Sequence, residues 1–467
     1  MAVKSQVKTV VINDFTGGRN TLNAINQINK NQQSAGQNVW TEFYALRKRS
    51  GTTATAVSIS SVTIQPNQFF ESSLASGGLT RLLFMGTVST TSLKFICRTD
   101  DGTSFNFAAY RAGTCSTSGS STTITGSGTA WTANVAVGDR FIPSGGALNE
   151  VTAVNSDTEI VVTTAVNLSA GTAYQIVHPL ANDAVCSIVA FDVSGSQNIF
   201  VFDGTAGGKL RYNGTDVFRV TYPPTGIVSA CVFKNYVFVA RTTTVEWCAL
   251  RDITTWPVAN TQTVTSADDP LRAIVVYSNY MVVFTKKRMF RFMGDTFDPA
   301  NPTYVLDVIR TPPNFSFSYS RSAVTHNGFL KFVGGDGLYV YDGGSVQKIS
   351  QIIQPDMDNM VNAFYQTEGI GTTGVSTVYK NRLYAIVPDT TSDSPNTHVI
   401  YMQDERDRLW RFLSTSGDWG KTDLIVTKLG ASGAIQFFGA PATNSGLLVL
   451  ETGNSDVSAG INGTWTG

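Results

Sequence analysis

The chain has 467 residues and a formal net charge of +0, and only 15% of its residues are charged, compared with about 25% in typical globular proteins. Hydrophobic residues make up 42% of the chain, which is enough for a large core and excludes a wholly disordered protein. The neutral charge excludes a global field that would attract DNA, a membrane or an acidic substrate, while 27 Phe and 16 Tyr favour pleated surfaces and predict a mostly β protein.

Residues 1–57 are predicted to form an N-terminal arm with a local excess of positive charge. Residues 1–50 hold seven Lys and Arg against Asp14 and Glu42. Three of the basic residues, Arg47, Lys48 and Arg49, are consecutive and are typical of an exposed strand end. The arm either contacts an acidic partner surface or phosphate, or is a solvated segment without a partner.

From residue 58 the sequence predicts many short strands separated by Gly, Asn and Asp turns. A pattern of apolar strand, Asn-containing turn and second apolar strand recurs around Asn235, Asn279, Asn327 and Asn381, in steps of 44, 48 and 54 residues. A period of about 45 residues with about four strands is that of a β-propeller blade. A single blade cannot bury both of its faces, whereas a closed ring of blades can. The pattern therefore favours an all-β propeller of six or seven blades over a solenoid or a sandwich.

The predicted blades are interrupted once. Residues 58–111 are assigned to the first blade and residues 180–467 to the remaining blades, whereas residues 112–179 break the period. Short alternating segments in that interval predict an inserted small all-β module that resembles a β-barrel. Insertions of this kind lie on a loop and project outward, where they are able to contact a partner.

The sequence contains no recognisable catalytic or metal-binding motif. The three His residues, His178, His326 and His398, lack metal-ligand spacing. There is no nucleophile elbow, zinc-protease motif, phosphate loop or dinucleotide fingerprint. The five Cys residues are widely spaced without a C-x-x-C, which favours buried free thiols over a disulfide framework or a zinc site.

Paired carboxylates are a separate question, because glycosidases need two acids that flank the sugar bond. Asp100-Asp101 and Asp268-Asp269 are adjacent in the sequence, so the two members of each pair point to opposite faces of a strand. Both pairs are typical of turns, and the charged run 404–408 is typical of a hairpin tip. We therefore expect no catalytic residue, no metal and no cofactor.

A second basic cluster, Lys286, Lys287 and Arg288, falls on a predicted hairpin turn. It is either a solvated blade edge or a surface that faces a channel for DNA, which it would contact through phosphates without regard to sequence. These three residues, together with Arg47, Lys48 and Arg49, are the candidate residues for contact with a DNA channel or a partner.

Three parts of the chain resemble tailed-bacteriophage β-propeller tail proteins. Asp14–Thr21 carries D-F-x-G-G-x-N-T, and Leu46–Gly51 carries the basic element that follows it before the first blade in that family. Residues 446–456 are similar to the last blade of those proteins. Within the insert, Ile124–Phe141 is similar to a small β module that is common in phage structural proteins.

This resemblance implies a structural, non-enzymatic protein of the virion tail, synthesised in the host cytoplasm. In short-tailed phages such a propeller forms the nozzle, which extends the DNA channel below the adaptor, retains the packaged genome and lets DNA pass during ejection. The implied partners are further copies in a homohexamer, the adaptor and tail fibre proteins, and DNA in transit, without stable membrane insertion. The alternative is a carbohydrate-binding propeller that recognises a host surface glycan through exposed aromatic residues such as Trp256 and Trp419.

Overall fold

The fold is known from a computed structural model. It describes residues 39–42, 45–48, 52–60, 62–72, 80–181, 185–298, 303–313, 315–317, 321–354, 357, 375–388, 398–404, 409–412, 421–429, 435–441, 446–450, 455–456 and 459–460. Most of the predicted arm, including Arg49, lies outside these residues, and so does Trp419.

Within the described residues, seven antiparallel sheets follow one another along the chain as the blades of a β-propeller. The first strands of most neighbouring blades contact each other and so surround a common axis. The prediction of an all-β propeller is confirmed. Blade 1 consists of strands Val62–Ser72, Arg81–Val88, Lys94–Thr99 and Phe105–Phe107, and blade 2 of Ser187–Val193, Ser196–Phe202, Lys209–Tyr212 and Val217–Arg219. Blade 3 consists of Ser229–Phe233, Tyr236–Ala240, Thr244–Trp247 and Thr261–Thr263, and blade 4 of Leu271–Tyr277, Tyr280–Thr285, Met289–Met293 and Val305–Ile309. Blade 5 consists of Val324–His326, Phe329–Gly334, Gly337–Tyr341 and Val346–Lys348, and blade 6 of Ser376–Tyr379, Arg382–Pro388, His398–Gln403 and Leu409–Phe412.

Blade 7 is assembled from both ends of the chain. Its strands are Lys421–Lys428, Ile435–Pro441, Gly446–Leu450 and, from the N-terminal region, Thr52–Ala56. Thr52 pairs with Leu450 and Ala56 pairs with Gly446 in an antiparallel ladder. Residues 52–56 lie within the predicted arm 1–57 and form the fourth strand of this blade. Their pairing joins positions almost 400 residues apart, which a local pattern cannot reveal.

Shorter elements accompany the blades. The first hairpin, formed by strands Val39–Glu42 and Ala45–Lys48, lies beside the outermost strand of blade 6. In the part of the chain that the structure describes, no helix is both long and apolar enough to cross a membrane. The shorter elements are the hairpin Val39–Glu42 and Ala45–Lys48, the strand Ser58–Ile59 at the edge of blade 1, the 3-10 helix Gln351–Ile353, and the strands Ser455–Asp456 and Ala459–Gly460 that extend the sheet of blade 7.

The recurring Asn residues lie in the tight turns between the first and second strands of blades 3 to 6. Asn235, Asn327 and Asn381 have positive φ angles. Two-residue hairpin turns need this backbone conformation, and Asn tolerates it better than most residues with a side chain. The repeat found in the sequence is therefore a repeat of the Asn-containing turn, which occurs once in each of these four blades.

The hydrophobic core lies between neighbouring blades. One cluster of buried residues joins blades 2, 3 and 4, and the rings of Phe238 and Phe297 at its centre meet edge to face at 4.9 Å. Another cluster joins blade 1 to blade 7 through residues such as Leu82 and Phe438. The ring is thus closed by side-chain packing as well as by the shared sheet of blade 7.

Polar groups join three parts of the ring at its axis. Asp423, on the first strand of blade 7, is fully buried and accepts hydrogen bonds from the Phe69 backbone N–H of blade 1 and from Arg321, each at 2.5 Å. Arg321 also donates to the carbonyl of Phe69 at 3.2 Å. Gln68 and Cys186 exchange two hydrogen bonds that link blade 1 to blade 2. These bonds hold the inner strands of three blades in register.

The insert is a separate folded unit between blade 1 and blade 2. It has its own core, in which Trp131, Phe141 and Tyr174 are buried and in ring contact. The unit is one six-stranded sheet with a single short helix. Its strands are Thr114–Ser116, Ser120–Ser127, Arg140–Pro143, Asn149–Ser156, Glu159–Asn167 and Tyr174–Val177, and its helix is Trp131–Asn134.

The axial ion pair is expected to dominate the stability of the ring. Asp423→Ala leaves the partly buried Arg321 guanidinium without its carboxylate, and removal of one partner of a buried pair costs about 3–5 kcal/mol. The matched control is Asp295→Ala, which removes the partner of Lys234 from an exposed ion pair. Urea unfolding followed by tryptophan fluorescence is expected to give a lower midpoint for the first variant only. Equal midpoints would contradict a structural role for the axial pair.

Candidate functional site

The basic turn predicted at Lys286, Lys287 and Arg288 joins the second and third strands of blade 4. Lys287 and Arg288 are exposed, and Lys286 is half-buried. The guanidinium of Arg288 lies over the ring of Phe290, with 5.3 Å between its central carbon and the ring centroid. The turn is therefore built in part on the blade surface and does not project freely into solvent.

The buried carboxylate of Asp269 organises this turn. It accepts hydrogen bonds from Arg288 Nε at 2.7 Å, from the Lys287 backbone N–H at 2.7 Å and from Thr285 Oγ1 at 2.9 Å. The sequence predicted only a turn at Asp268-Asp269 and missed this role, since a buried aspartate and a turn aspartate look alike in one sequence. Because Arg288 is paired with Asp269, its charge is largely neutralised, and the turn presents less positive charge than its three basic residues suggest.

The other predicted basic residues lie elsewhere in the fold. Arg47 and Lys48 are on the second strand of the first hairpin, where they pair with Trp40 and Val39. That hairpin contacts blade 6, whereas the basic turn belongs to blade 4. Arg49 falls outside the described residues. The described residues of the two predicted basic clusters are thus found beside blade 6 and on blade 4.

The insert is held on the propeller by a buried cluster of charged and polar groups. Asp139, in the insert, is fully buried and pairs with His178 Nδ1 at 3.0 Å and with the guanidinium of Arg219 on the outermost strand of blade 2. Burial alone raises the pKa of Asp139, but His178 and Arg219 outweigh that effect and hold the pKa below its usual value. An edge-to-face contact between Tyr110 and Phe218 lies at the same junction. The insert is therefore fixed to the outer rim of blade 2.

A cleft of about 610 Å³ lies beside this rim, between blades 2 and 3. One wall is the connection Thr221–Pro224, which contains a cis peptide bond before Pro223. The other wall is the loop of blade 3 that carries Trp256. Arg241 and Glu246 also line the cleft and form an ion pair at 2.8 Å. The cleft thus combines aromatic, proline and charged surfaces.

Both walls of the cleft are fixed by internal hydrogen bonds. Lys209 is buried and donates to the carbonyls of Thr221 and Pro223 at 2.7 and 2.8 Å. Trp256 is half-buried, and its indole N–H donates to the carbonyl of Ile253 at 2.6 Å. In the sequence, Trp256 was named as an aromatic residue whose exposure would indicate glycan binding. No sequence pattern indicated the Arg241–Glu246 pair or the role of Lys209.

The acidic pair Asp100-Asp101 has structural partners, and residues 405–408 of the charged run lie outside the described residues. Asp100 pairs with Arg81 at 2.5 Å, and Asp101 accepts hydrogen bonds within its own turn from residues 103 and 104. All five cysteines are free, and burial raises the pKa of Cys186 to about 12, so that thiol stays protonated at neutral pH. Among the described residues, no group of three or more His, Cys, Asp or Glu is placed to hold a metal ion.

Comparison with known proteins gives similarity of structure only. No family model matches the chain, and no curated protein matches its sequence. Similar solved structures include Saccharomyces cerevisiae Sqt1, at 11% identity and a TM-score of 0.37 over 87% of this chain and 100% of that one. Citrobacter koseri AztD has 11% identity and a TM-score of 0.35 over 87% and 96% of the two chains. BBS1N, in a complex with ARL6DN, has 11% identity and a TM-score of 0.37 over 62% and 82%.

Arg288 and Lys287 are expected to differ in their effect on stability although they are neighbours in one turn. Arg288→Ala leaves the buried Asp269 carboxylate without its charged donor, which costs about 1–3 kcal/mol. Lys287→Ala removes an exposed side chain and keeps the backbone N–H that Asp269 needs, so it serves as the control. Thermal melting is expected to show a loss for Arg288→Ala alone. A loss of similar size for Lys287→Ala would refute the anchoring role of Asp269.

Asp139→Asn is expected to loosen the insert from blade 2, because it removes the negative charge that holds Arg219. Hydrogen exchange is expected to accelerate in strand Val217–Arg219, while Glu150→Gln, which breaks the exposed pair with Arg140, leaves that strand protected. The folded-state pKa of Asp139 is lowered, so its contribution is fully present above the ordinary aspartate pKa of about 3.9 and is lost as the pH falls through the lower folded-state value. Unchanged exchange in Asp139→Asn would contradict the clamp.

Proposed function

We propose that this chain is a structural protein of a bacteriophage tail, with the nozzle as its position. There it extends the DNA channel below the adaptor, retains the packaged genome and lets DNA pass during ejection. The proposal starts from the sequence resemblance in residues 14–21, 46–51, 124–141 and 446–456. The observation that carries it furthest is the insert, a rigid unit clamped to the outer rim of a closed propeller, because a structural ring needs lateral contact elements of fixed orientation.

The axis of one propeller does not serve as the DNA conduit in this proposal. A cavity of about 160 Å³ is lined by the inner strands of blades 1 to 4 and by Arg321, and it has room for a small cluster of water molecules but not for DNA. Arg321, which pairs with Asp423, forms part of its lining. DNA therefore passes between copies of the chain, with the propellers as the wall segments of a larger ring. This geometry suits the homohexamer that the resemblance implies.

The electrostatics of the basic turn suit a wall that DNA slides past. Phosphate contacts strengthen DNA binding with each free cation that takes part. Arg288 already pairs with Asp269, and several other cations are used inside the fold, as Arg219 and Arg321 are. Lys287 is exposed and is the residue of the turn best placed to meet a phosphate. A few weak contacts of this kind guide DNA without holding it.

Immunogold electron microscopy of phage particles from the source lysate tests the position of the chain. An antibody raised against the purified full chain is expected to label the distal end of a short tail, and antibody pre-adsorbed with the purified chain serves as the control. Mass photometry of the purified chain is expected to show a closed oligomer with a mass six times that of the monomer. Gold on the fibres, or particles without specific label, would overturn the proposal.

A further inference from the structure

We infer that the cleft between blades 2 and 3 binds a neutral pyranose unit of a glycan. The cleft volume of about 610 Å³ lies within the range of about 300–1,000 Å³ that is usual for small-molecule sites. The inference goes beyond the proposed tail function and holds whether or not the chain occupies the nozzle, since it rests on the chemistry of the cleft alone.

The Arg241–Glu246 pair supplies complementary hydrogen-bonding groups at one place. Arg241 contributes only donors and Glu246 only acceptors. Glu246 Oε1 accepts hydrogen bonds from Arg241 at 2.8 Å and from Thr244 at 3.2 Å, and its second oxygen remains for a ligand. Two adjacent hydroxyl groups of a sugar ring satisfy this arrangement, one by donating to the carboxylate and the other by accepting from the guanidinium.

Trp256 supplies the apolar surface that the face of a sugar ring requires. The side chain packs partly on the core cluster of blades 2 to 4, and its indole N–H is already bonded to Ile253. What remains for a ligand is therefore ring surface. Tyr222 also lines the cleft, so the cleft offers two aromatic groups, and aromatic side chains provide a large apolar area.

The cleft is also organised before any ligand arrives. Lys209 fixes the wall at Thr221 and Pro223, and Asn260 donates to the carbonyl of Cys248 at 3.2 Å, which anchors the loop of the other wall. The ordering of mobile loops is a major cost of binding. Because these walls are already bonded in place, weak individual contacts with a sugar are enough to give measurable affinity.

The charges of the cleft favour a neutral ligand. Arg241 and Glu246 cancel each other, and an anionic ligand attracted by Arg241 would be repelled by Glu246, which is only 2.8 Å from it. The hydroxyl groups of Thr221 and Thr261 add further donors and acceptors around the cleft, and the Thr254 hydroxyl, which donates to Asp252, adds an acceptor. A proline-rich peptide has few groups to match them, whereas a sugar carries a hydroxyl on most of its carbons.

Saturation-transfer NMR and calorimetry of the full-length chain with a panel of neutral methyl glycosides test the inference. We expect at least one glycoside to bind, and we expect Glu246→Gln to weaken that binding about tenfold, because a neutral amide oxygen accepts a weaker hydrogen bond than a carboxylate does. Trp256→Ala is expected to abolish ring-proton saturation transfer. Glu150→Gln, which makes the same change in the Arg140–Glu150 pair of the insert, is the matched control and is expected to bind normally.

Three results would overturn the inference: no glycoside of the panel binds at millimolar concentration, a polyproline peptide binds in this cleft instead, or Glu246→Gln binds as the unmodified chain does. Because Trp256 packs on the core, thermal melting must first show that Trp256→Ala is folded. If Trp256→Ala is not folded, the binding of glycosides by Glu246→Gln tests the inference. Immunogold labelling of the tail and glycoside binding by the purified chain are independent measurements. A failure of the nozzle proposal and a failure of the glycan site are therefore distinguishable.

Discussion

The closure of the ring is the constraint on which the rest of the structure depends. Every blade buries its faces against two neighbours, so an open ring would expose apolar surface on the first and last blades. Pairing of Thr52–Ala56 with Gly446–Leu450 makes blade 7 a joint product of both chain regions. The Asp423 carboxylate then ties blade 7 to the Phe69 backbone of blade 1 at the axis. Because this junction closes the ring, each of the remaining blades stays packed between two neighbours.

The sequence predicted the parts of the fold that have local causes. Turns at Asn235, Asn327 and Asn381 need positive φ angles, and a single residue type meets that need at regular intervals, so the repeat was visible. The insert was visible because it interrupted that repeat. Strand Thr52–Ala56 was placed in the arm because its partner is almost 400 residues away, and no local signal reports such pairing.

The candidate sites were harder to predict for a different reason. The sequence around Asp269 is typical of a turn, and only the burial of its carboxylate in the fold makes it the anchor of Arg288. In the same way, Arg241 and Glu246 are five residues apart on a turn and a strand, and their importance comes from the wall that Lys209 holds on the neighbouring blade. The predicted basic residues indicated where positive charge is found. They did not indicate how much of it is already neutralised within the fold.

Blade 2 links the two surfaces that carry the proposals. Its outermost strand ends at Arg219, which holds the insert through Asp139, and two residues later the chain enters the cleft wall at Thr221 and Tyr222. Lys209, on the adjacent strand, bonds the carbonyl of Thr221. The clamp of the insert and the wall of the cleft therefore belong to one short, hydrogen-bonded segment. In the proposed ring, contact of the insert with a neighbouring subunit and occupancy of the cleft would both act on this rim of blade 2.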